Sequence, residues 1–190
     1  MGELYCEEEF FEKRDFTSTR LKKGTYEYCT FVECDFSATD LMGMKFMECE
    51  FERCNLSMVK LAGTVLRDVK FKGSKLLGVQ FERCSDLLLS VMFDNCIFSH
   101  ASFFNLSLRK TVFSHSNLQE VDFSQADLTE AVFTSCDLAD AIFNRTNLEK
   151  ADLATSWNYL IDPDENRIRK ARLSIAGALG MLMKYDIEIS

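Results

Sequence analysis

From Asn117 to Leu153 every fifth residue is Leu or Phe: Leu118, Phe123, Leu128, Phe133, Leu138, Phe143, Leu148 and Leu153. Two places before most of them stands a small residue, as at Ala126, Ala131, Cys136, Ala141 and Ala151, and the residue just before is often Asp or Asn. A period of five suits neither ordinary element. On an α-helix five residues advance about 500°, so the large side chains would wander round the axis. On a strand an odd spacing would place them alternately on two faces. If the chain turns a corner every five residues, each Leu or Phe stays inside a coil. The repeat therefore predicts a solenoid.

The same spacing runs earlier in the chain through Phe11, Phe16, Leu21, Tyr26, Phe31, Phe36, Leu41, Phe46, Phe51, Leu56, Leu61, Leu66, Phe71, Leu76 and Phe81. Counting the second register, from Leu88 onward, fifteen of the 17 phenylalanines fall on centres, which accounts for their abundance. Gly43, Gly63, Gly73 and Gly78 each stand two after a centre, where a turn uses their conformational freedom. The register then slips by two residues near Cys84, Ser85, Asp86 and Leu87, and a second register runs Leu88, Phe93, Phe98, Phe103, Leu108, Phe113 and onward. The slip reads either as a functional loop or as an insertion tolerated at a coil corner.

The motif resembles that of the pentapeptide-repeat family, A(D/N)Lxx with the large residue at its centre. The resemblance implies an all-β solenoid, a right-handed quadrilateral β-helix with four pentapeptides per coil. Cys29 and Cys49, and Cys34 and Cys54, recur at the implied spacing of twenty. Twenty-nine centres then make a little over seven coils, a rod roughly 35 Å long. We assign residues 1–158 to the β-helix and 159–190 to a C-terminal cap or dimerisation segment. Within that segment Ser174 is a candidate helix N-cap, Leu179, Leu182 and Met183 share one helix face, and Ile187 and Ile189 alternate as in a terminal strand.

This ending resembles the tail of the gyrase-interacting Qnr, MfpA and McbG type, which implies an end-to-end homodimer through Leu179, Leu182, Met183, Ile187 and Ile189. The alternative is a cap on the chain's own last coil. Qnr proteins carry projecting loops that contribute to protection. Only a two-residue slip interrupts the repeat here, which makes the chain more like MfpA.

The net charge is −8, which argues against direct nucleic-acid binding and for a basic protein partner. The start, MGELYCEEEFFEKRDF, is acidic without an apolar core, and Cys6 stands where a myristoylation motif has Ser or Thr. No run approaches the roughly 18 apolar residues of a membrane span. A cytoplasmic protein without membrane contact is expected.

Cys29, Cys34, Cys49, Cys54, Cys84, Cys96 and Cys136 occupy the small inward position, and no C-x2-C spacing supports a metal. His100 and His115 fall on outward positions without nucleophile or acid companions. With no phosphate loop either, neither catalysis nor a cofactor is expected.

What is left is surface. Residues 88–157 carry nine acids (Asp94, Glu120, Asp122, Asp127, Glu130, Asp137, Asp140, Glu149 and Asp152) against four bases, a balance of −5. All but Asp94 are taken as a candidate acidic partner surface. The competing explanation is that Asp122, Asp127, Asp137 and Asp152 stand where the repeat itself favours Asp. The resemblance implies a DNA-mimicking dimer whose carboxylates stand in for phosphates against DNA gyrase or topoisomerase IV, protecting it from quinolones or toxins. The alternative is a scaffolding rod that binds another protein.

Overall fold

A computed structural model describes residues 4–185 and 187. The chain winds into a β-solenoid of about eight turns. Each turn stacks on the one before it in parallel, at a step of twenty residues: Phe11 pairs with Phe31, Phe31 with Phe51 and Phe51 with Phe71. Five residues per side and twenty per turn give four faces. The first carries the centres Tyr26, Phe46 and Leu66, the second Phe31 and Phe51, the third Phe36 and Leu56, and the fourth Leu41 and Leu61. Continuous strand pairing concentrates on the first two faces. One sheet stacks Leu4–Glu7, Gly24–Glu27, Lys45–Met47 and Val65–Arg67, and a nine-stranded sheet runs from Phe10–Glu12 to Arg172–Leu173. The other two faces are joined by single bridges, such as Asp35 to Asn55 and Asp40 to Lys60.

The corners explain the period. Two residues after nearly every centre the backbone is left-handed, as at Arg53 (φ 51°), Met58 (φ 57°), Gly63 (φ 67°), Lys110 (φ 60°) and Glu120 (φ 58°). Among the described residues no Val, Ile or Thr takes this left-handed conformation, because a branched Cβ clashes there.

The interior is a set of columns. On the second face Phe11, Phe31, Phe51, Phe71, Phe93, Phe113 and Phe133 stack with successive ring centroids 4.7, 4.8, 5.2, 5.3, 5.2 and 4.9 Å apart. Rings on neighbouring faces meet edge-on, as Phe93 meets Phe98 at 4.9 Å and 84°. Each buried phenylalanine contributes about 1.5–3 kcal/mol through area alone, with stacking added.

The small inward position also satisfies backbone. The Cys54 N–H donates to Ser74 Oγ (3.0 Å), which donates to the Phe51 carbonyl (3.1 Å). Ser116 and Ser156 accept likewise from the N–H groups of Cys96 and Cys136, each at 3.1 Å. Cys, Ser and Thr therefore stand beside Ala at this place because their polar atoms pair buried amides.

At the slip, the stacking step rises to 22 between Phe71 and Phe93 and returns to 20 between Phe93 and Phe113. The two extra residues are taken up in the turn between Ser85, whose N–H donates to the Thr64 carbonyl, and Ser90, whose N–H donates to the Leu66 carbonyl, so later centres still face inward. Leu88, read from sequence as a centre, is instead 62% exposed in the left-handed corner (φ 66°), and Leu89 packs against the core. Leu87 is 71% exposed beside it.

Coiling also runs beyond the last regular repeat. Asp137 bridges to Trp157, Asn147 to Arg167, and Leu153 pairs with Leu173. The motif is lost because the inner places are filled differently. Ile161 and Asn166 are buried there, and Asn166 Oδ1 accepts the Thr146 N–H at 2.8 Å. The helix α1, Ile175–Gly180, then folds against the end of the rod, with Ser174 Oγ accepting the Gly177 N–H at 3.1 Å. Tyr159 anchors it: its hydroxyl accepts the Ser174 N–H at 2.9 Å. A Cβ on Gly177 would overlap the Tyr159 ring, so this helix approaches only with glycine there. Of the expected terminal strand, Ile187 is in no strand and Asp186, Glu188 and Ile189 lie outside the described residues.

Candidate functional site

The eight candidate carboxylates are distributed by the winding. Five-residue steps through four faces put Asp127, Glu130 and Glu149 on the first, Asp152 on the second, Glu120, Asp137 and Asp140 on the third, and Asp122 on the fourth. They do not form one stripe.

Two chemical classes separate among them. Asp122, Asp127, Asp137 and Asp152 precede centres, and each Oδ1 accepts the backbone N–H two residues on, at 2.8, 3.0, 3.2 and 3.1 Å. These are Asx turns that hold the corner. Partial burial raises the pKa of Asp127, but hydrogen bonds from Thr129 and Arg109 outweigh it and hold the carboxyl below its ordinary value. Asp137 is likewise lowered, with burial opposed by Gln119 and Asn158.

Glu120, Glu130 and Asp140 are corner residues and Glu149 lies one after a centre, all without a turn to hold. Glu130 is met by Lys150 at 2.9 Å and Lys110 at 3.8 Å, and its pKa is lowered chiefly by Lys150. Glu120 faces His100 at 2.6 Å. Arg109 meets Asp127 at 3.0 Å, and Arg172 pairs with Asp152. Asp140 and Glu149 form no ion pair among the described residues.

The C-terminal end is different in kind. Leu179 is 41%, Leu182 38%, Met183 74% and Ile187 53% exposed, while Ile189 lies outside the described residues. Trp157, Leu160, Ile175 and Tyr185, which the sequence pattern did not single out, add to this apolar end. A groove of about 840 Å³ crosses it, lined by Trp157, Tyr159, Leu160, Ala176, Leu179 and Met183, with Asp140 on its rim. The neighbouring cation is neutralised, since Lys184 pairs with both Asp162 and Asp164.

The thiols are structural. Burial pushes Cys49, Cys54, Cys84 and Cys96 up to about 12 and Cys136 up to about 11. Among the described residues no three His, Cys, Asp or Glu side chains are arranged to hold a metal, and no helix is long and apolar enough to cross a membrane.

The family model described as a pentapeptide repeat region matches residues 10–81 and 78–153. No curated protein sequence matches the chain. Among solved structures it is similar to a trypsin-treated variant of QnrB1, a plasmid-mediated fluoroquinolone resistance protein. The identity is 19%, the coverage 99% of this chain and 98% of that one, and the TM-score 0.65. It is similar also to HetL of the cyanobacterium Nostoc sp. strain PCC 7120, involved in heterocyst differentiation regulation, at 15% identity, 90% and 86% coverage and TM-score 0.67.

Proposed function

This chain belongs to the pentapeptide-repeat family, and from that premise we propose that it is a non-catalytic protein-binding rod that pairs tail to tail through its C-terminal end and acts on DNA gyrase or topoisomerase IV. The observation that carries the pairing is the exposed apolar end around Leu179, Leu182 and Met183 on a chain of net charge −8. Two copies joined there bury side chains that otherwise stand in water, at about 25 cal/mol per Å². The likeness to QnrB1, a fluoroquinolone resistance protein, supports a topoisomerase as the first partner to test. Asp140 at the groove rim, and Glu120 one coil earlier on the same face, would carry the acidic surface across the junction.

The test is supercoiling by purified gyrase with and without ciprofloxacin, at two salt concentrations. Rescue from the drug, or inhibition that weakens with salt, is expected. No effect at a large excess over gyrase would remove gyrase from this reading.

The distribution of acids over four faces, four of them holding turns, favours a second reading: a scaffolding rod whose partner is another protein. Glu120→Gln with Asp140→Asn separates the two. The gyrase effect falls with these charges in the first reading, and a rod bound through other surfaces is indifferent to them.

A further inference from the structure

The fourth face of the first four coils carries a surplus of cations, five against the two acids Asp40 and Glu82. Arg20, Lys22 and Lys23 lie on the first coil, Lys60 on the third and Arg83 on the fourth, all exposed, and none forms an ion pair among the described residues. On the first two faces of the same coils several bases are matched instead: Arg53 meets Glu33 at 3.1 Å, Lys72 meets Glu50 at 2.6 Å and Arg67 meets Glu27 at 3.6 Å. Two acids share the basic face, and Asp40 stands beside Lys60 in the stack. Asp40 Oδ1 accepts the Met42 N–H at 2.9 Å, and Glu82 has one carboxyl oxygen buried without a partner.

Relief and apolar chemistry coincide with this charge. Two grooves of about 390 Å³ each share Lys60; one includes Thr17, Arg20 and Thr39, the other Met42, Met58 and Arg83. Glycines keep the corners low. Nothing lies within 4 Å of where a Cβ on Gly63 would stand, and the Met58 sulfur lies 2.5 Å from that place on Gly78, so Met58 rests on a bare backbone. Met42 is 42% and Met58 62% exposed. Unbranched, polarizable thioethers adapt to varied apolar side chains.

We infer that this face binds a short acidic segment of a partner protein, one that also carries one or two large apolar side chains. Carboxylates would meet Lys60, Arg83 and the Arg20 to Lys23 cluster, and the apolar side chains would seat against Met42 and Met58. Three steps of about 4.8 Å span the first coil to the fourth, room for about four or five extended residues. The stripe has no exposed aromatic ring to stack a base, and the chain as a whole repels phosphate backbones. A protein segment fits better than a nucleic acid. The inference does not rest on the topoisomerase reading.

An array of eight-residue peptides in three matched sets tests it: Glu alternating with Leu, Met or Phe; Glu alternating with Ser; and Lys alternating with Leu, Met or Phe. The full chain should be retained best by the first set, and Lys60→Glu with Arg83→Glu should lower retention at least tenfold with an unchanged circular dichroism spectrum. Met58→Ser should reduce the preference of the first set over the second. Equal binding to the Glu/Ser set would mark a general polyanion site and overturn the inference. So would preference for the Lys set, or retention unchanged in the charge reversal. Sedimentation of the same samples adds a last contradiction, side-by-side self-association lost with Lys60 and Arg83, which would assign the stripe to a second copy.

Discussion

The coils before the slip and the coils after it share one interior and differ outside. Phe51 and Phe113 sit in the same column, each stacked on the ring above and below. Arg53 and Lys110 hold the same left-handed corner. Outward, the first half keeps an unpaired basic face, whereas residues 88–157 carry a balance of −5, much of it bound in turns and ion pairs. A solenoid separates the two problems. The repeat dictates what points inward, and the two outward places per face and the corner are free to diverge.

If the halves share an interior, the largest effects should be equal in both. Phe51→Ala and Phe113→Ala should each lower stability by about 3–5 kcal/mol in chemical denaturation, and a loss below about 1 kcal/mol in either would break the equivalence. Corners come next. Arg53→Val and Lys110→Val should each cost about 1–2 kcal/mol, because a branched residue is forced into the left-handed region. A neutral result at one would mean that its corner relaxes.

Smaller effects sharpen the contrast between structural and free carboxylates. Asp137→Ala should lose about 1 kcal/mol with the turn hydrogen bond, Asp137→Asn should stay near wild type, and Asp140→Ala should have no measurable effect on melting. The lowered pKa values of Asp127 and Asp137 set the sign with pH. Their stabilisation is present above the ordinary carboxyl value and is lost as pH falls through the lower folded value. Melting of Asp137→Asn should therefore fall less steeply than wild type below about pH 4. The smallest readout is thiol reactivity. At pH 8, Cys49, Cys54, Cys96 and Cys136 should resist labelling in both halves, since burial keeps them protonated, and unfolding should release them.

Much of the fold was legible because the period of five leaves one simple solution, and Gly43, Gly63, Gly73 and Gly78 mark corners with φ between 58° and 68°. The scatter of the acids was legible in principle: with twenty residues per coil, Asp122, Asp127, Asp137 and Asp152 must fall on four different faces. Asp at that place holds its own turn, a demand of the motif that hides any functional use of the charge. Other features escaped because they replace the repeat. Leu89 rather than Leu88 turns inward, since the inserted residues lengthen the loop before the strand resumes. The coils beyond Leu153 keep the register at Ile168 and Leu173 but lose the motif between, with Ile161 and Asn166 at the small inward places and Pro163 at a centre. The helix seats on Tyr159 through a contact between residues far apart in sequence, which no local pattern encodes.

Pairing through the C-terminal end is the claim on which the proposed function stands, and sedimentation velocity of the purified chain tests it most directly. At tens of micromolar the chain should sediment as a dimer. Leu182→Glu with Met183→Glu should sediment as a monomer with unchanged circular dichroism. A wild-type chain that stays monomeric, or a variant that remains dimeric, would contradict the account.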